Sequence, residues 1–179
     1  MSKNKEQLLE LLDKDGDSLY GLLFRLTLSA ETAEDLMQEL FVRLLSSANI
    51  GDVRRLYFYA RKTAINLAFD RHRRLKRTRL TGESPDEPVG NAPTPLQELL
   101  IKEQHRQLLE AVSKLKNPYR DIIVLRFIEQ QPYESIAEQM GETAHKIRAV
   151  CSKGIRKLRV LLDGNRILSE ERKKDVRIR

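Results

Sequence analysis

Apolar residues recur three and four positions apart along nearly the whole chain. From Ala33 to Leu45 they fall at Leu36, Met37, Leu40, Phe41, Leu44 and Leu45, the stripe of an amphipathic helix. Glu34, Asp35, Gln38, Glu39 and Arg43 occupy its other face. The same periodicity predicts a helix over Leu8–Leu28, interrupted near Asp13–Asp17, and another from about Asp52 to Lys76. Between Leu80 and Leu96 the pattern stops: Pro85, Pro88, Pro93, Pro95, Gly82 and Gly90 break any helix. Residues 78–95 therefore read as a linker that is acidic through Glu83, Asp86 and Glu87. Extended at ~3.3 Å per residue, its length reaches about 60 Å.

Helical spacing resumes at Leu96 and runs through Leu99, Leu100, Leu108, Leu109, Val112 and Leu115, until Asn117-Pro118 breaks it. Tyr119–Glu129 predicts another helix. Pro132 opens a short one that Gly141 ends, where a left-handed terminus favours glycine. A last helix is expected from about Thr143 to Leu162, with Ile147, Cys151, Ile155, Leu158 and Leu162 inward. The mostly charged tail, Asp163–Arg179, reads as a frayed helix or as disordered chain, with no function assignable to it. No alternating β pattern occurs. The expected fold is all-α, two small helical domains joined by a flexible strap, with boundaries at 1–77, 78–95, 96–162 and 163–179.

Composition narrows the function classes. Among 179 residues, 33 are Lys or Arg and 26 Asp or Glu, a formal net charge of +7. The basic excess admits a polyanionic partner without proving one. No apolar run approaches the roughly 20 residues that span a bilayer. The first ten residues lack a signal peptide's apolar stretch. With Cys151 as the single cysteine no intrachain disulfide can form, and a reducing cytoplasm is the simple inference. His72, His105 and His145 are scattered, no metal-ligand spacing appears, and no nucleophile motif or phosphate loop is present. The expectation is a chain that is not an enzyme and holds neither metal nor cofactor. Asp13-Lys14-Asp15-Gly16-Asp17 resembles the start of a calcium loop. But Ser18 stands at the glycine position and Phe24 at the closing glutamate position, so a helix N-terminal turn is the better reading.

Three features carry candidate chemistry. The short helix, Gly141 turn and longer helix are the parts of a helix-turn-helix. The longer helix carries Lys146, Arg148, Lys153, Arg156, Lys157 and Arg159 with no acid from His145 to Leu162. Such a helix fits the major groove, with base edges met near its N-terminus and phosphates farther on; otherwise it is a cationic, solvated face. Second, Arg71, Arg73, Arg74, Lys76, Arg77 and Arg79 close the third helix, downstream of Tyr57, Phe58 and Tyr59. Aromatics beside a cationic stripe suit single-stranded nucleic acid; equally, the aromatics are core and the basic run a solvated helix end. Third, Asp35, Gln38 and Glu39 form an acidic helix face, either solvated or a docking surface for a protein partner.

Together these segments resemble a bacterial RNA polymerase sigma factor of the extracytoplasmic-function (ECF) group in the sigma-70 family. Ala33–Phe41 is similar to the family's A-x-D-x-x-Q-x-x-F helix. Tyr57–Arg74, with Ala64–Arg71, is similar to its promoter-melting and −10 segment. Leu108–Leu162, with Leu115, Arg120, Val124-Leu125-Arg126, Ile136-Ala137 and Ile147-Arg148, is similar to region 4.

The resemblance implies a dissociable subunit that binds core RNA polymerase and directs promoter-specific initiation. It implies a polymerase contact through Asp35, Gln38 and Glu39, and −10 single-strand contacts through Tyr59, Lys62, Asn66, Asp70 and Arg73, shaped by the loop Ser46–Val53. It implies −35 duplex contacts through Lys146, Arg148, Ala149, Ser152, Lys153 and Arg156. A partner that holds the subunit inactive, such as an anti-sigma protein, also follows from it. Tyr59 stands where the family usually has Trp. Glu142–Lys146 lacks the usual proline at the start of the recognition helix, Ala149 removes a polar base contact, and Gly154 sits mid-helix. The alternative is a stand-alone helix-turn-helix regulator, which would have no reason to carry the N-terminal motifs. A partner-binding adaptor with degenerate DNA contacts is a third reading.

Overall fold

The computed structural model describes residues 2–46, 53–81 and 96–176. Seven helices and no strand occur among them: α1 (Ser2–Thr27), α2 (Ala30–Ser46), α3 (Val53–Thr81), α4 (Leu96–Ser113), α5 (Tyr119–Ile123), α6 (Tyr133–Met140) and α7 (Ala144–Val176). They form two compact units, one built by α1–α3 and one by α4–α7.

In the first unit each helix packs on the other two. α1 buries Leu8, Leu11, Leu19, Leu22, Leu23 and Leu26, and it runs through without the expected interruption. Asp13, Lys14 and Asp17 lie on its exposed side, so the apolar stripe passes beneath them unbroken. The segment that resembles a calcium loop is thus mid-helix rather than an N-terminal turn. Ser29 starts α2 by accepting the Thr32 amide on Oγ at 3.2 Å. α2 buries Ala33, Leu36, Leu40 and Leu44, a narrower stripe than the sequence suggests: Leu45 is 52% exposed. α3 presents Ala60, Ala64 and Ala68 to the core, flanked by Leu56, Ile65, Leu67 and Phe69. Small residues every four positions let a neighbouring helix come close. His72 Nε2 lies 2.8 Å from the Leu26 carbonyl, so α3 satisfies an acceptor in the last turn of α1. α3 continues to Thr81, past the expected boundary at 77.

The second unit centres on α7, against which α4, α5 and α6 all pack. Leu109, Val112, Leu115, Ile122, Ile123, Val124, Ile136, Ile147 and Cys151 are its core. α5 widens into a π-helical turn over Val124–Ile128. Gly141 ends α6 at φ 67°, as its position predicts, and the Glu142 amide closes the turn on the Ala137 carbonyl at 2.9 Å. Thr143 then caps α7, its Oγ1 accepting the Lys146 amide at 3.3 Å. Gly154 finds its reason here. A Cβ at that position would stand 3.1 Å from Ile123 Cδ1 and 3.4 Å from Tyr119 Cβ. The glycine is what lets α5 lie against α7. Of the two readings of the tail, the helical one holds for the described part, since α7 extends to Val176.

Candidate nucleic-acid interface

The five residues expected to meet the −10 strand all lie on α3. At about 100° per residue, Tyr59, Lys62, Asn66, Asp70 and Arg73 fall within an arc of about 80°. They make a stripe about 21 Å long at 1.5 Å per residue. Tyr59 is 46% exposed at one end and Lys62 is exposed beside it, with Asn66 half-buried in the middle. Asp70 and Arg73 form an ion pair with each other, so Arg73 brings less free positive charge than its type suggests. Arg77, one turn beyond Arg73, lies on the same stripe and is exposed. Its i+4 spacing was the available signal.

The aromatic triplet divides between its two readings. Tyr57 is half-buried, its hydroxyl 3.3 Å from Ser18 Oγ and its ring beneath the Arg61 guanidinium at 5.3 Å. Only Tyr59 presents a ring on the exposed stripe. The cationic run divides as well. Arg71 and Arg74 line a groove between α2 and α3 with Thr32, Asp35, Glu39 and Arg43, and Asp70 of the stripe borders it too.

That groove separates the three residues expected to dock on polymerase. Asp35 and Glu39 open toward α3, with Glu39 paired to Arg43 at 2.6 Å. Gln38 lines a different concavity with Tyr20, Glu34, Met37 and Phe41. A partner that touches all three must therefore cover the ridge of α2 rather than enter one cleft. The Ser46–Val53 loop lies, but for its two ends, outside the described residues.

In the second unit, Lys146, Arg148, Ala149, Ser152, Lys153 and Arg156 are all exposed on α7, within an arc of about 160°. Ile147, Cys151 and Gly154 are buried on the opposite side. Lys146 pairs with Glu142 one turn back. Arg148 is held by two residues of α6 that sequence reasoning passed over, Tyr133 and Glu134. Among the described residues no group of His, Cys, Asp and Glu could hold a metal ion. No helix among them is long and apolar enough to cross a membrane.

Residues 11–78 match the sigma-70 region 2 family and residues 105–158 the sigma-70 region 4 family. The chain is 29% identical to the ECF RNA polymerase sigma factor SigE of Mycolicibacterium smegmatis, over 84% of its own length and 59% of that protein's. It is 26% identical to the RNA polymerase sigma factor SigV of Bacillus subtilis, over 88% of its own length and 92% of the relative's. The solved structure of the sigma factor RpoE with the anti-sigma factor NepR from Bartonella quintana is similar at 21% identity and a TM-score of 0.44, covering 91% of this chain and 98% of that one. With regions 2 and 4 matched in order over most of its length, the chain belongs to the sigma-70 family of RNA polymerase sigma factors.

Proposed function

We infer that this chain is an alternative sigma factor that binds core RNA polymerase and directs initiation at promoters with a −10 and a −35 element. The observation that carries the reading is the presence of two separate exposed surfaces, each on the family domain expected to use it. One is the Tyr59–Arg73 stripe of α3 in region 2; the other is the cationic face of α7 in region 4.

The chemistry fits the division. Opening the −10 element requires no hydrolysis by this chain. It requires a site that captures an unstacked base, and stacking on an aromatic ring, worth about 1–3 kcal/mol, offsets an unstacking cost of similar size. Tyr59 supplies the ring, Lys62 a cation for the backbone, and Asn66 both a donor and an acceptor for a base edge. On α7, Arg148 is the base-reading guanidinium, Ala149 and Ser152 line the same face, and Lys146, Lys153 and Arg156 meet phosphates. Polymerase docks along the ridge of α2, over Asp35, Gln38 and Glu39. The same reading places the protein in the cytoplasm with the polymerase. It also makes a regulatory protein, of the anti-sigma kind, a natural occupant of that ridge.

The test is co-elution of the purified chain with core RNA polymerase on a sizing column, beside the variant Asp35→Ala, Gln38→Ala, Glu39→Ala. Co-elution that the triple change abolishes is the expected result. Absence of binding by the unaltered chain overturns the reading.

A further inference from the structure

Arg148 does not leave α7 as a free arm. Its Nη2 donates to Glu134 Oε1 at 2.5 Å, and its guanidinium lies over the Tyr133 ring, 5.4 Å from the centroid. Tyr133 is itself held. The Arg126 guanidinium lies over the same ring at 4.7 Å, and Arg126 Nη1 donates to the Gln131 carbonyl at 2.8 Å. The Tyr133 hydroxyl donates to the sulfur of buried Cys151 at 3.8 Å. The ring is thus anchored to α7 by its hydroxyl and buttressed by Arg126 from the π-helical turn that follows α5, and Arg148 leans on it. Glu134 stands beside it in the first turn of α6, where the helix dipole favours an acid.

We propose that Tyr133 and Glu134 are positioning residues for −35 recognition: they hold the Arg148 guanidinium as a preset arm that selects guanine at one position of the duplex. The proposal rests on the reading of α7 as the −35 helix. An unrestrained arginine loses much rotamer freedom when it binds, whereas a planar guanidinium already stacked and hydrogen-bonded loses less. It presents five N–H donors; Glu134 occupies one side and leaves others for the two acceptors of guanine, N7 and O6. The pairing also neutralises Glu134, which would otherwise set a carboxylate against the phosphates. Holding the arm in one direction sharpens the choice between bases more than it strengthens overall binding.

The experiment is selective transcription by reconstituted holoenzyme from a promoter library with a randomised −35 element, comparing base preference position by position. Arg148→Ala should erase the preference for guanine at one position. Glu134→Ala and Tyr133→Leu should each lower the preference at that same position by roughly two- to fivefold, as expected of one exposed ion pair or one cation–π contact, and leave the others intact. Tyr133→Phe keeps the ring and should retain it. Glu134 is exposed, so its variant remains informative if Tyr133→Leu fails to fold. Unchanged preference in Glu134→Ala overturns the proposal. So does an equal fall at every position, which marks a merely structural role. If Arg148→Ala alters no position, the proposal falls together with the role given to Arg148. If the unaltered holoenzyme enriches no sequence, the sigma reading itself falls.

Discussion

Arg148→Ala is expected to weaken binding of holoenzyme to the −35 duplex by about 1–3 kcal/mol, the value of one bidentate contact to guanine. Competition binding against a promoter changed at that base measures it. Asn66→Ala should lower open-complex formation more than polymerase binding, since Asn66 lies on the α3 stripe proposed to capture the −10 strand. Permanganate footprinting beside co-elution separates the two, and equal losses would make Asn66 structural. Tyr133 gives a prediction in pH. Burial holds its hydroxyl above the ordinary value of 10.0, the Cys151 contact acts the same way, and Arg126 opposes both. The fold then keeps a proton that the unfolded chain releases first. The stabilisation is complete below about pH 10 and fades as the pH rises through the higher folded value. Urea denaturation at alkaline pH should therefore show a shallower loss for Tyr133→Phe than for the unaltered chain. Individual residues were legible in the sequence only as types. That Arg148 was basic and near a helix start was plain; that Glu134, fourteen positions earlier, would hold it was not, because the Gly141 turn brings them together.

Among the helices, α7 depends on Gly154 more than its sequence position suggests. By propensity the glycine costs about 1 kcal/mol relative to alanine. By packing it admits Ile123 and Tyr119 of α5. Gly154→Val should therefore destabilise the second unit by about 1–3 kcal/mol through overpacking, read as a lower midpoint in thermal unfolding. A neutral outcome would mean that α5 moves aside freely. The α3 stripe was legible beforehand, since positions 59, 62, 66, 70 and 73 repeat at helical spacing. The division of Arg71–Arg79 was not. A run of like charges in sequence wraps around a helix, and only the position of α2 decides which cations meet a groove.

For the molecule as a whole, the two family domains flank residues 82–95 in sequence. On the proposed function each offers a small DNA surface whose affinity is modest alone. The free chain is expected to bind duplex DNA weakly and to gain affinity on polymerase, which holds two surfaces at promoter spacing and so makes the second contact intramolecular. Fluorescence anisotropy with and without core enzyme checks this. Nanomolar, sequence-specific binding by the free chain would contradict it and favour the stand-alone regulator.

Periodicity, turn residues and motif order were enough to determine an all-helical chain, its two domains, the αL turn at Gly141 and the family. These are properties of local spacing, and local spacing is written in the chain. Tertiary structure alone decided that α1 passes through Asp13–Asp17 unbroken, that Gln38 borders a different concavity from Asp35 and Glu39, that Gly154 is a contact rather than a defect, and that Arg148 leans on Tyr133 and Glu134. Each of these depends on which face of a helix meets a neighbour. That is settled by packing between segments distant in sequence, and no window of residues contains it.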